Sequence, residues 1–237
     1  MFVLGYHWVN LGSIPAEFVI YDLWESMRKL DLELADQVLE PTFVFMQSQT
    51  DKIRMSIRGL GEYLRYREKD VGKAYVSFTS TQLGFQTNVG IYRLLSALMR
   101  YSMGLRPTQA ELAALRPLEE NCSKHISIVN DICSFEKEVL AEKTGHPEGA
   151  HLCSAVKVIA AETSLSTGAA KRVLWAMVRE WERAHEAMTQ ALGPQTSATV
   201  REYVCGLQCQ MSGNELWSRT TPRYLDPAQQ IVADFLV

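Results

Sequence analysis

From Ser13 onward, apolar positions recur at three- and four-residue intervals through most of the chain, and the strict alternation of a half-buried strand is missing. AEFVIYDLWESMRKL follows Ser13, a suitable N-cap, and Pro15, which fits a first helical turn because a backbone N–H there has no intrahelical partner. DLELADQVLEPTFVFMQSQ repeats the pattern, with Pro41 predicting a kink or a break. The same spacing predicts helices over 94–104, 108–118, 120–143, 150–162, 166–192 and 197–219, joined by short connections such as GLRPT and TGHPEG. The fold class is therefore all-α, a helical bundle.

Two segments depart from that pattern, and both are free of Asp, Glu, Lys and Arg: residues 1–16 and the run AYVSFTSTQLGFQTNVGIY from Ala74 to Tyr92. The second is rich in residues that favour strand or loop, yet it separates the helical stretches YLRYREKDVGK and LLSALMRYSMGL. An insertion accounts for it; a genuine loop carrying a functional hairpin is the other reading, although long loops within compact domains are uncommon. At 237 residues, 47% hydrophobic and 22% charged, the chain can bury a substantial core, with one domain the simpler division. A formal net charge of -3 leaves no broad basic field for nucleic acid or an anionic membrane, so an anionic ligand must meet a local cluster. The five cysteines show no CxxC or zinc-like spacing and predict reduced thiols in an intracellular protein. Cys205 and Cys209 lack the further ligands a metal would need and are assigned to core packing. The chain has no run of about 18 apolar residues to span a membrane, and its opening lacks the basic flank and cleavage site of a signal peptide, which leaves the cytoplasm as the default location.

The stretch VNDICSFEKEV carries the most chemistry. Asn130, Ser134 and Glu138 recur every four residues and, at ~100° per residue, lie in one narrow stripe. Val129, Ile132, Phe135 and Val139 take the opposite side, so the helix can pack by its apolar face while presenting an amide oxygen, a hydroxyl and a carboxylate together. Three hard oxygen donors suit Mg²⁺, which completes an octahedral shell with water and phosphate oxygens. Lys137, about 20° round the helix from Asn130, can reach the same phosphate. The solvated face of an ordinary amphipathic helix is also polar opposite apolar. Residue choice weighs against that: Asn and Ser are mediocre in mid-helix, where Glu, Lys and Gln make the better solvated face.

NDICSFEKE resembles the Asn-Asp-x-x-Ser-x-x-x-Glu metal motif of class I terpene cyclases, including its trailing Lys-Glu. GNELWSRTTPRYL is similar to the segment in which that family sets an Arg-Tyr pair at the substrate diphosphate, here Arg223 and Tyr224. YREKDVG matches the context of the family's diphosphate-sensing arginine at Arg67, with Lys73 a further diphosphate contact. Arg67 precedes Asn130 by 63 residues, longer than the family's spacing by about the 19 residues of the charge-free run, which supports reading 74–92 as an insertion. The resemblance covers Ile14 to Lys73 and Leu94 to about Tyr224, and is strongest to the fungal sesquiterpene cyclases.

This resemblance implies the class I terpenoid synthase helical bundle, three Mg²⁺ ions, and farnesyl diphosphate as substrate, its diphosphate drawn off to leave an allylic cation that closes into a sesquiterpene. Metal, Arg and Lys would stabilise the departing charge, and an aromatic-lined apolar cavity the cation. Trp217 and Phe45 are placed in that cavity by the resemblance, although core packing is the commoner fate of a helical aromatic. The family's other metal motif, an aspartate-rich run on a helix N-terminal to the matched region, has no counterpart: the chain contains no Asp-Asp pair, and Asp22 and Glu25 in DLWES read as a helix surface pair. trans-Prenyltransferases, with two such motifs, are disfavoured on the same ground. A non-catalytic helical diphosphate-binding or interaction protein derived from a cyclase keeps the basic contacts without turnover and stays open at this point, as does oligomeric state, a homodimer included.

The expectation is thus a single partial cyclase domain over 1–237, incomplete at its N-terminus and with little or no turnover, in which 1–16 and 74–92 are translated from non-coding sequence. Sequencing the spliced transcript checks this. A message that encodes an upstream aspartate-rich helix and skips 74–92 is the expected outcome, and one encoding the present chain intact overturns it.

Overall fold

The computed structural model describes residues 15–49, 56–70, 94–144 and 152–224. Residues 1–14, Lys73 and the run 74–92 lie outside them. The described residues form the helices α1 (Pro15–Leu30), α2 (Leu32–Gln49), α3 (Leu60–Asp70), α4 (Leu94–Met103), α5 (Gln109–Thr144), α6 (Ala155–Thr163), α7 (Thr167–Ala191) and α8 (Ala198–Thr220), followed by a 3-10 turn at Pro222–Tyr224. No strand occurs among them.

Side chains written into the sequence start these helices. Thr108 and Glu111 form a capping box at α5: the hydroxyl accepts from Glu111 N at 3.2 Å, and the carboxylate accepts from Thr108 N at 2.7 Å. Ser154, Ser166 and Ser197 cap α6, α7 and α8 by accepting from Val156 N, Ala169 N and Val200 N, satisfying amides that have no carbonyl a turn earlier. Beyond α4 and α7 the chain turns at Gly104 and Gly193, whose φ angles of 65° and 75° a side chain would strain.

Pro41 and Pro117 both fall inside helices. Of the kink or break predicted at Pro41, the break does not occur, for α2 runs through it. Segments 108–118 and 120–143 are one 36-residue helix, α5, with Pro117 inside. An interior proline costs roughly 3 kcal/mol, but Leu115 and Leu118 on either side of Pro117 are buried, and each such burial contributes about 2 kcal/mol. Tertiary packing therefore outweighs the local penalty.

Helix α5 is the shared wall of two cores. Its first half, through Leu115, Leu118 and Cys122, packs with Met99 of α4 and with Tyr203 and Leu207 of α8. Its second half, through Ile128, Val129 and Ile132, packs with Tyr63 of α3, Val156 of α6 and Leu174 of α7. Helix α4 comes close to α8 at Gly206, where an added Cβ would displace the Met99 side chain. The same interface holds a buried polar chain: Tyr203 donates to the Glu119 carboxylate, and Arg100 Nη1 lies 3.4 Å from the Tyr203 oxygen. Cys205 and Cys209 do not join this core. Both are exposed, because Tyr203, Val204 and Leu207 carry the packing face of α8 and the two thiols fall on its other side. No described helix is long and apolar enough to cross a membrane.

His125 of α5 and His185 of α7 are both buried, and burial holds both imidazoles below their usual range. Glu182 and Glu215 face His125 and Arg179 opposes them, while Asn121 Nδ2 lies 3.5 Å from His185 Nδ1. A histidine buried neutral contributes stability that is fully present above the unfolded value of 6.5 and is lost as pH falls below it. We expect the thermal midpoint of His185→Gln to fall less than that of the parent when pH drops from about 8 to about 5.5. Differencing against the parent cancels the other titrating groups. Parallel pH curves for the two proteins would contradict the assignment.

Candidate functional site

The polar stripe of α5 lies where α3 and the Pro222–Tyr224 turn come against it. Asn130 joins the two. Its Nδ2 donates to the Tyr224 hydroxyl at 2.6 Å, and its Oδ1 accepts from Arg67 Nη2 of α3 at 3.4 Å. One turn on, the Ser134 hydroxyl donates to Glu138 Oε1 at 2.6 Å. Sequence separations of 63 and 94 residues are thereby closed into one cluster of Arg67, Asn130, Ser134, Glu138 and Tyr224.

Burial in this cluster works against charge. It pushes the Glu138 carboxyl up to about 7, helped by the negative charge of Asp131; Ser134, Arg67 and Lys137 pull the other way without offsetting it. A carboxylate so placed favours any added positive charge. With the Asn130 amide and the buried Ser134 hydroxyl beside it, the donor set is all hard oxygen and can hold a divalent cation such as Mg²⁺. Burial also raises the Tyr224 phenol, so it acts as a neutral hydrogen-bonding group.

The other sequence-derived candidates divide. Lys137 is half-buried beside Glu138, and Arg223 is exposed next to Tyr224, whose phenol its charge pulls down. Trp217 meets the Tyr224 ring edge-on, with centroids 5.4 Å apart, and keeps 48% of its surface exposed. Phe45 is half-buried on α2, which packs mainly against α1, α3 and α4 rather than α8. Lys73 lies outside the described residues. Of the surface pair, Asp22 is exposed and Glu25 is engaged by Arg28 at 3.2 Å.

Sequence reasoning missed Asp131 and Tyr63. Asp131 is 3% exposed; its Oδ2 accepts from the Tyr63 hydroxyl and from Ala155 N at 2.8 Å, and its Oδ1 lies 3.3 Å from Arg67 Nη2. Burial keeps Tyr63 protonated and therefore a donor. The signal was present: Asp131 stands at the border between the polar stripe and the core positions Ile128 and Ile132 of α5, where a buried carboxylate must find partners.

A second acidic group, His125, Glu182 and Glu215, has one possible ligand atom from each residue within 4.8 Å of the others. It is already neutralised. Arg179 bridges Glu182 and Glu215, reaching Glu215 Oε1 at 2.5 Å, and Arg219 reaches the same oxygen at 2.7 Å.

A helical bundle with an oxygen-rich stripe beside converging basic and phenolic groups defines a metal-dependent class, and the comparisons give the family. The model described as terpene synthase family 2, C-terminal metal binding, matches residues 13–184, and the chain belongs to that family. It is 54% identical over 213 residues to aristolochene synthase of Penicillium roqueforti, covering 89% of this chain and 57% of that protein. Aristolochene synthase of Aspergillus terreus is 50% identical, with 90% and 61% covered. The crystal structure of the Penicillium roqueforti aristolochene synthase superposes with a TM-score of 0.68 at 50% identity, over 87% of this chain and 62% of that one. The chain thus spans about three-fifths of the length of these relatives.

Asp131 and Tyr224 should respond differently to truncation. Asp131→Ala removes one partner of a buried ion pair and strands donors on two helices, with an expected loss of about 3 kcal/mol or more. Tyr224→Phe removes one hydrogen bond at a half-exposed turn, worth about 1 kcal/mol. Urea unfolding of both variants measures the contrast, and equal losses would refute it.

Proposed function

We propose that the cluster of Arg67, Asn130, Ser134, Glu138 and Tyr224 is a metal and diphosphate site, and that the reaction it serves is Mg²⁺-dependent ionisation of farnesyl diphosphate and its cyclisation to a sesquiterpene such as aristolochene, with release of diphosphate. The observation that carries this is the convergence of an amide oxygen, a hydroxyl and a half-buried carboxylate on one stripe of α5, with an arginine and a tyrosine hydrogen-bonded to its first member. The described helices form part of one cyclase domain. The chain's 54% identity over 213 residues to an aristolochene synthase supports the choice of substrate and product.

In this reading Asn130, Ser134 and Glu138 hold the metal. Bound Mg²⁺ supplies positive charge that offsets the negative charge developing on diphosphate as the carbon–oxygen bond breaks. Arg67 orients diphosphate from the α3 side, its guanidinium already directed across Asn130. Tyr224 and Arg223 approach from the opposite end, where the Tyr224 hydroxyl is fixed by the Asn130 amide. Lys137, adjacent to Glu138, and Lys73 add further positive charge. Trp217, braced edge-on against Tyr224, presents a ring face to a passing carbocation. Phe45, half-buried on α2, is the second aromatic that the family resemblance assigns to the cation. Three ions, as in the family pattern, require ligands beyond these three residues, and no basic side chain acts as a nucleophile.

Titration calorimetry with inorganic diphosphate and with a non-ionisable farnesyl diphosphate analogue, each in Mg²⁺, tests the site. Both ligands are expected to bind, the analogue more tightly because its apolar chain is buried, and Glu138→Ala and Arg223→Ala each to weaken binding about tenfold, equivalent to about 1.4 kcal/mol. Affinities indifferent to both substitutions would sink the site.

A further inference from the structure

Asp131 follows Asn130 in sequence and lies at the edge of the polar stripe, about 20° round α5 from Glu138, yet it is buried and paired where α3 and α6 pack against the helix. Its two oxygens are divided in use. Oδ2 is held by neutral donors from two other elements, the Tyr63 hydroxyl of α3 and the Ala155 amide at the start of α6. Oδ1 is directed at Arg67 Nη2, the same nitrogen that reaches Asn130 Oδ1. A guanidinium is planar, so fixing one nitrogen against two acceptors sets the plane and direction of the whole fork. Tyr63 lies one turn before Arg67 on α3, so the hydroxyl that anchors the carboxylate and the arginine that the carboxylate directs belong to one helix face.

We propose that Asp131 is a positioning residue: anchored by Tyr63 and Ala155 N, it aims Arg67 at the diphosphate and does not itself touch the ligand. This rests on the diphosphate reading of Arg67. A carboxylate that merely held helices together would affect the fold whatever stood at position 67, whereas one that works by aiming a guanidinium matters to binding only while the guanidinium is there. Ionic attraction alone does not fix the sign, since a pair that withheld Arg67 from diphosphate would make removal of Asp131 tighten binding.

The test is a double-mutant cycle on the full chain, read as calorimetric affinity for inorganic diphosphate in saturating Mg²⁺, with Asp131→Asn, Tyr63→Phe, Arg67→Ala and the two double variants. We expect Asp131→Asn to weaken binding about tenfold and Tyr63→Phe about threefold, and both effects to shrink below about twofold when Arg67 is alanine. Equal losses in both backgrounds, no loss, or a gain in affinity each overturn the positioning role while leaving the site intact. Unchanged affinity in Arg67→Ala overturns the diphosphate reading of that arginine, and the positioning role with it. Should Asp131→Asn fail to fold, Tyr63→Phe carries the same comparison, because it keeps the buried ring and removes only the hydroxyl.

Discussion

The Asp131 carboxylate is tied to α3 by the Tyr63 hydroxyl, to the first turn of α6 by the Ala155 amide and to the Arg67 guanidinium, all within the core that α5 shares with α3, α6 and α7. Each tie alone is an ordinary hydrogen bond or ion pair. Together they fix the rotation of α3 about its axis relative to α5, because Tyr63 and Arg67 are one turn apart and both are held. That rotation brings Arg67 over Asn130, and Asn130 in turn holds Tyr224. A buried carboxylate without such partners would be costly, so the junction is specified by the need to satisfy it as much as by apolar packing.

The two carboxylates of the motif segment meet opposite fates on one helix. Asp131 points into the packing and finds donors for both oxygens. Glu138 lies along the stripe, where Ser134 donates one hydrogen bond and the nearby cationic side chains do not compensate for burial, so its carboxyl is pushed up to about 7. The first arrangement is complete within the protein and builds the frame. The second is completed by added positive charge, which is the property a metal ligand needs. The two sit about 20° apart round α5, so what separates them is not their side of the helix but the donors that α3 and α6 bring to Asp131.

Much of the fold was legible because it is local. Ser166 and Ser197 mark helix starts whose observed bounds differ by a residue from the sequence reading, and the apolar spacing gives the rest. The fusion of α5 across Pro117 was not legible, since it depends on two leucines being buried by helices distant in sequence. The stripe of Asn130, Ser134 and Glu138 could be read directly, but periodicity alone does not separate it from a solvated face. Arg67 and Tyr224 became partners only through family order and then through geometry, for nothing local links residues 63 and 94 apart. Asp131 was given no role although it is a specified position of the motif, because the donors that hold it come from α3 and α6, distant in sequence. Cys205 and Cys209 were assigned to the core because they lack the further ligands of a metal site, and their side of α8 decides otherwise.

The comparison with His125, Glu182 and Glu215 shows why proximity of ligand-type atoms is a weaker criterion than unmet charge. Those three residues satisfy a bare distance requirement within 4.8 Å, and His125 is 1% exposed. Burial works against ionisation of Glu182, yet His125 and Arg179 hold its carboxyl below the usual range, the mark of a carboxylate that already has its counter-charge. Arg179 and Arg219 also lie over the Trp175 ring, at 5.2 and 4.5 Å from its centroid, which fixes the guanidinium groups in place. A cation entering there must displace two arginines, one of which bridges α7 and α8. Around Glu138 the balance has the opposite sign, with positive charge too distant to offset desolvation. Similar residue types thus form an ion-pair knot on one side of α5 and a ligand-ready stripe on another, and what separates them is where the arginines stand.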